Sequence, residues 1–176
     1  EDSYIDTPFR ERGHYAGDFF PEFATTLVTS GDPRLAKQTA RLFNDKYEHV
    51  YKKAGATAEG DFPLINILVA SWYIRQFNDV EFAQEVYPLY APFFNELHAN
   101  RGTNGFYHSK NAFIEPVSFD KNSDLTTFQS LVFATYQEMS SIATRLGNKA
   151  DAYKYGSWAT ETQQFIQTHC WDSKAG

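Results

Sequence analysis

The chain has 176 residues, of which 42% are hydrophobic and 22% charged, a composition that predicts one globular domain with a sizeable core. Its formal charge of −6 and its lack of lysine and arginine clusters argue against a nucleic-acid partner, because phosphate backbones are bound by concentrated positive charge. The sequence contains no apolar run of membrane-spanning length and no signal-peptide pattern at its N-terminus. Cys170 is the only cysteine, which excludes an intramolecular disulfide and a thiolate metal cluster. These features leave the cellular compartment open.

Helical periodicity dominates the chain after its first eighteen residues. Apolar spacing, polar N-caps, glycines and prolines predict six helices: 20–29, 33–53, 64–77, a fourth after Asn78-Asp79, a fifth after Asp124 and a sixth after Gly147-Asn148. The third helix is apolar nearly all round, which predicts burial on every side. Pro88 and Pro92 fall inside the fourth helix and are expected to kink it or split it.

The three short turns between helices resemble one another. They read Gly31-Asp32-Pro33, Asn78-Asp79-Val80 and Gly147-Asn148-Lys149, so each has a stop residue followed by a polar cap. This recurrence favours helical hairpins that stack side by side, with the first helix of each facing an inner ring and the second facing outward. We therefore predict a single all-α domain over residues 1–176, built from antiparallel helical hairpins. Three unrelated turns with ordinary caps are the alternative.

Antiparallel helices place successive connections at opposite ends of the fold. The three short turns are therefore expected at one end, and the longer segments 1–18, 54–63 and 100–123 at the other end, which we call the mouth. Long connections often carry function. The mouth segments contribute several further carboxylates that are candidates for a site: Glu59, Asp61, Glu115, Asp120 and Asp124.

The opening stretch, residues 6–18, is the densest cluster of reactive groups in the chain. It reads Asp-Thr-Pro-Phe-Arg-Glu-Arg-Gly-His-Tyr-Ala-Gly-Asp, and the spacing of Asp6, Glu11 and Asp18 fits a folded loop better than one helical face. Two carboxyl groups in one pocket separate each other's pKa values, so that one can remain protonated and act as a general acid. Arg10 and Arg12 flank Glu11 and oppose this effect, and the sequence leaves the direction of the shift open. A solvated terminal loop is the alternative interpretation.

A carboxylic acid, aromatic residues and a ring of helices together suggest carbohydrate cleavage. The opening stretch also resembles the signature of bacterial alpha-L-rhamnosidases of the six-hairpin glycosidase type, which runs Asp-Cys-Pro, then Glu, then an aromatic residue and Gly-Asp. The resemblance implies inverting hydrolysis of terminal alpha-L-rhamnosides, with Glu11 as the general acid and with Asp6, Tyr15 and Asp18 as sugar contacts. We add Arg10, Asp61 and Glu115 as candidate substrate-binding residues: the first flanks the acid, and the others lie in mouth segments.

The chain departs from the family pattern at several places. Thr7 replaces the usual cysteine, and Glu115-Pro116 stands where the family often has Asp-Trp. The family fold has six hairpins, so the resemblance implies a partial (α/α)6 toroid with about three of them. It also implies that the catalytic base lies beyond Gly176, and that the partners are a carbohydrate and the remaining half of the barrel.

Two other functions stay open, and neither a cofactor nor a metal is expected. The first is a six-hairpin glycosidase of another sugar specificity, and the second is a helical-repeat binding module without catalysis. The five histidines lack metal-ligand spacing. Trp72 and Trp158 are interpreted as core residues, whereas Phe9, Tyr15 and Tyr107 lie in mouth segments and are candidates for either a sugar platform or the core.

Overall fold

The prediction of an all-α fold is confirmed. A computed structural model describes residues 3–5, 7, 9–10, 12–52, 61–108 and 126–174, and these residues form helices without any strand. The helices are α1 (Ala16–Thr29), α2 (Pro33–Lys52), α3 (Phe62–Phe77), α4 (Val80–Ala99), α5 (Thr126–Arg145) and α6 (Lys149–His169). Five of the six therefore follow the predicted ranges closely.

The helices form three antiparallel hairpins that stack side by side in two layers. In one layer α3 lies between α1 and α5 and contacts both, and in the other layer α2 packs against α4. Side chains also join α4 to α6: the Tyr87 hydroxyl donates to Asp151, and the Tyr155 hydroxyl donates to the Ala91 carbonyl. Because α3 is central, it contacts four other helices and is buried nearly all round, as its apolar sequence predicts.

The three short turns share a backbone conformation as well as a sequence pattern. Gly31, Asn78 and Gly147 all have positive φ angles, of 64°, 51° and 73°. This left-handed conformation ends a helix and is accessible to glycine and asparagine. The residue that follows caps the next helix in all three turns, since Asp32 accepts from the Arg34 amide, Asp79 from the Phe82 amide and Asn148 from the Asp151 amide. The hairpin repeat is therefore present in the backbone.

Helix α1 begins four residues earlier than predicted. Tyr15 is its N-cap residue with an extended backbone, and no side chain caps the helix. Ala16 is fully buried and Gly17 faces the Phe62 ring, so tertiary packing starts this helix without a capping signal in the sequence. Asp18 consequently lies in the first turn of α1 rather than in a loop.

Helix α4 is not split at its prolines, contrary to one of the two expected outcomes. Pro88 and Pro92 are one turn apart and both are exposed. Each proline leaves the carbonyl four residues earlier without its helical donor. These carbonyls, of Gln84 and Pro88, belong to exposed residues, so water is available to satisfy them.

Replacing Pro88 with alanine is expected to raise the free energy of unfolding by about 1–2 kcal/mol, because it restores a helical hydrogen bond and removes a steric clash. Chemical denaturation measures the change. Pro33 is the first residue of α2, where proline suits the helix, so Pro33→Ala serves as the control and should be neutral or slightly destabilising. If Pro88→Ala lowers stability, the packing of α4 depends on a bend at this proline.

Candidate active site at the mouth

The described parts of the three mouth segments lie at the same end of the bundle. Helices α1, α3 and α5 begin there, and α2, α4 and α6 end there, as the antiparallel order requires. The N-termini of three neighbouring helices carry partial positive charge, which favours anionic groups nearby. The C-termini of α2, α4 and α6 carry the opposite partial charge at the same end, so an anionic group is favoured only where it lies directly at one of the three N-termini.

Hydrogen bonds and ring contacts hold both ends of the opening segment, near residues 3–4 and at residue 14, against the helices. Ser3 and Tyr4 are buried, and the Tyr4 amide donates to the Thr39 hydroxyl of α2 at 2.9 Å. His14 Nδ1 lies 3.1 Å from the Tyr4 carbonyl and 2.9 Å from the Ser3 hydroxyl. The Tyr4 ring stacks on Phe19 of α1. Because His14 lies against residues 3 and 4, these two ends are held together, and the stretch between them is called the opening loop.

The described residues inside this loop form a turn that exposes an aromatic side chain. The amides of Arg10 and Arg12 both donate to the Thr7 carbonyl, at 3.3 and 3.2 Å. Arg12 has a positive φ of 53°, which costs energy in a residue other than glycine. Phe9 is 97% exposed at this turn. Phe9 is therefore excluded from the core and belongs to the solvent-facing surface of the mouth.

Tyr15 lies where the opening loop meets the start of α3. Its ring packs edge-on against Phe62, with the ring centroids 6.4 Å apart, and remains 37% exposed. Lys46 of α2 donates to the His14 carbonyl at 3.0 Å and lies 5.5 Å from the centre of the Tyr15 ring. Gly17 packs beside the Phe62 ring, where a Cβ would lie 3.6 Å from it, an ordinary van der Waals contact. Phe62 and Lys46 therefore hold the Tyr15 ring in place, and the exposed part of this ring forms an aromatic surface beside the loop.

The predicted site residues fall into three groups. Arg10 and Asp18 are exposed and Tyr15 is partly exposed, so all three can reach a ligand. Asp61 is only 1% exposed at the start of α3, directly before Phe62, so it is adjacent to the same aromatic surface but buried. Several predicted or candidate residues lie outside the described part of the chain: Asp6, Glu11, Glu59, Glu115, Asp120 and Asp124.

The described part of the third mouth segment, residues 100–108, packs firmly against α5 and α6. Gln129 of α5 accepts from the Tyr107 amide at 3.0 Å and donates to the Tyr107 carbonyl at 2.7 Å. Phe106 packs edge-on against Phe165 of α6, and Gly105 approaches the same ring so closely that a Cβ would lie 3.0 Å from it. Tyr107 is 3% exposed, so it belongs to the core and not to a sugar platform.

Sequence reasoning missed the residues that hold these segments in place. Thr39 and Gln129 are buried polar residues on otherwise apolar helix faces, which is the one signal that marks them before the structure is known. His14 has no sequence signal beyond its place in the opening stretch, and its contacts with Ser3 and Tyr4 give it a structural role. Trp158 stacks on His98 at 3.9 Å, which agrees with its interpretation as a packing residue.

Among the described residues, no three histidine, cysteine or carboxylate side chains are grouped so that they could hold a metal ion. None of the described helices is both long and apolar enough to cross a membrane. No protein-family model matches the chain, and no curated protein or solved structure is significantly similar to it.

Proposed function

We propose that this chain carries the general-acid half of a glycoside hydrolase site, similar to that of alpha-L-rhamnosidases, and that it acts on terminal alpha-L-rhamnosides by inversion. The observation that supports the proposal is the position of the opening segment on the helical bundle. Its two ends are held together, and the end at residues 14–15 lies at the mouth, beside the Tyr15–Phe62 aromatic pair and the buried Asp61. A motif of carboxylates and an aromatic surface are the two components that sugar cleavage requires.

The proposed chemistry divides the work between two carboxyl groups. Glu11 protonates the glycosidic oxygen as the bond to the leaving group breaks, and a second carboxylate activates water on the opposite face of the sugar. Inversion requires the two groups to be about 6.5–9.5 Å apart, so that water fits between them. Tyr15 and Asp18 contact the sugar, together with the other proposed contacts: Asp6, Arg10, Asp61 and Glu115. The remaining half of the barrel supplies the second carboxylate.

Sugar binding at the aromatic surface is testable without a complete site. Tyr15→Ala is expected to weaken binding of L-rhamnose by about threefold to tenfold, because an aromatic contact contributes about 0.5–1.5 kcal/mol. Titration of the chain followed by NMR measures the change. Tyr153→Ala is the matched control, since Tyr153 is 81% exposed on α6, away from Tyr15. If both variants bind L-rhamnose with the same affinity as the wild type, Tyr15 is not part of the sugar-binding site.

Hydrolysis is tested with a panel of aryl glycosides that includes the alpha-L-rhamnoside, using the protein that supplies both halves of the site. We expect cleavage of the rhamnoside, with NMR of the first-formed sugar showing inverted anomeric configuration. Cleavage of a different glycoside alone would favour a six-hairpin glycosidase of another sugar specificity. Retained configuration would contradict the two-carboxylate geometry proposed above.

A binding module without catalysis is the second candidate, and the exposure of the opening segment favours it. Phe9, Arg10 and Asp18 are all exposed, as expected for a surface that contacts a partner without enclosing a substrate. Under this alternative, Asp18→Asn changes no reaction rate and the glycoside panel yields no cleavage. The panel therefore separates the two functions directly.

A further inference from the structure

His98, in the last turn of α4, connects the third mouth segment to the helical core. Its ring stacks on Trp158 of α6, with centroids 3.9 Å apart and planes 7° apart. Its Nδ1 lies 3.1 Å from the Tyr107 hydroxyl, which also accepts a hydrogen bond from the Tyr136 hydroxyl at 3.3 Å. When Nε2 carries the proton of the neutral imidazole, Nδ1 accepts from the Tyr107 hydroxyl. His98 is therefore placed where its protonation state affects how the segment is held.

The surroundings of His98 oppose a positive charge. Burial, with a smaller contribution from Arg101, lowers the pKa of His98 from about 6.5 to about 4, while Glu161 acts in the opposite direction. Arg101 and Glu161 form an ion pair with 3.2 Å between Nη1 and Oε2, which limits how far Glu161 can compensate a new charge. Each element packed against the His98–Trp158 stack contributes titratable or charged groups near it. These groups are Arg101, Tyr107, Tyr136, Lys154, Tyr155 and Glu161.

We propose that His98 is a pH-sensitive latch that holds residues 101–107 against α5 and α6 when neutral and releases them when protonated. Protonation removes the lone pair that accepts the Tyr107 hydroxyl and places a second positive charge near Arg101. The bonds from Gln129 to the Tyr107 backbone break on release, but α5 and α6 pack directly against each other, so the segment loosens without the bundle unfolding. This inference goes beyond the proposed function and does not depend on it.

The direction of the effect follows from proton linkage. When the segment is released, His98 regains its ordinary pKa, so the released state binds a proton at a pH where the latched state does not. Release is therefore favoured as the pH falls from about 6.5 towards about 4. At neutral pH both states are unprotonated and the latch is closed.

Hydrogen exchange at the amides of residues 101–107 tests the latch. After correction for the intrinsic pH dependence of exchange, protection is expected to fall on the order of tenfold between about pH 7 and pH 5, while the amides of α5 and α6 keep theirs. His98→Gln retains an acceptor for Tyr107 but does not titrate, so its protection should be independent of pH in this range. His14→Gln, at the base of the opening loop, is the matched control and should behave like the wild type.

A second variant covers the case in which glutamine disturbs the stack on Trp158. His98→Phe keeps an aromatic ring there without an ionisable nitrogen, and it should also lose the pH dependence. The latch is refuted if either folded variant loses protection on acidification as the wild type does. It is also refuted if the wild type keeps full protection at about pH 5. Because the measurement needs no substrate, its failure would leave the proposed glycosidase function untouched.

Discussion

Replacing Glu11 with glutamine is expected to lower the turnover of an alpha-L-rhamnoside by about 10²–10⁴-fold, the range over which general acids contribute to catalysis. Glutamine has nearly the same size and cannot donate a proton to the leaving oxygen. The stability of the protein should change little. Steady-state rates in the protein that supplies both halves of the site, together with thermal unfolding of the same samples, measure both effects.

The leaving group provides a sharper test of the role of Glu11. A dinitrophenolate departs without protonation, so a dinitrophenyl rhamnoside should lose much less rate in Glu11→Gln than a rhamnoside with a poor leaving group. Glu81→Gln is the control, because Glu81 is an exposed carboxylate at the other end of the bundle. Near-normal turnover of the poor substrate by Glu11→Gln would rule out the proposed acid. An equal loss with both substrates would assign Glu11 a role other than proton donation.

The hairpin architecture could be predicted from the sequence because its signals are local. Asp79 and Asn148 cap helices through hydrogen bonds three residues along the chain, and Gly31 and Gly147 mark turns by their own backbone conformation. These features need no knowledge of the rest of the fold. The start of α1 has no such signal, because the Tyr15 side chain makes no cap. For that reason the start predicted from the sequence, at residue 20, is four residues too late.

The candidate site could be predicted only in part, because burial depends on contacts between distant segments. Tyr15 and Tyr107 were equivalent in the sequence, since both are aromatic residues in mouth segments. Tyr15 meets one ring at the surface, whereas Tyr107 is enclosed by Gln129, Tyr136 and His98 from two helices. The partners of Tyr107 lie 9 to 29 residues away, and no periodic pattern links them.

The contact between Gln129 and Tyr107 leads to the largest expected effect on stability. Gln129 is fully buried, and its amide satisfies both the N–H and the carbonyl of Tyr107. Leucine at this position has a similar volume but leaves both backbone groups buried without a partner. Each such group costs about 1–3 kcal/mol, so Gln129→Leu is expected to lower the free energy of unfolding by about 2–5 kcal/mol. Denaturant titration measures the loss.

The same helix offers a control that separates the hydrogen bonds from the change of side chain. Gln137 lies about two turns further along α5 and is exposed, so Gln137→Leu should alter stability by less than about 0.5 kcal/mol. Hydrogen exchange in Gln129→Leu should show residues 101–107 unprotected even at neutral pH, because the backbone bonds are lost while His98 stays neutral. If stability and protection are instead unchanged, water reaches the Tyr107 backbone, and contacts of the His98 and Phe165 side chains alone hold the segment in place.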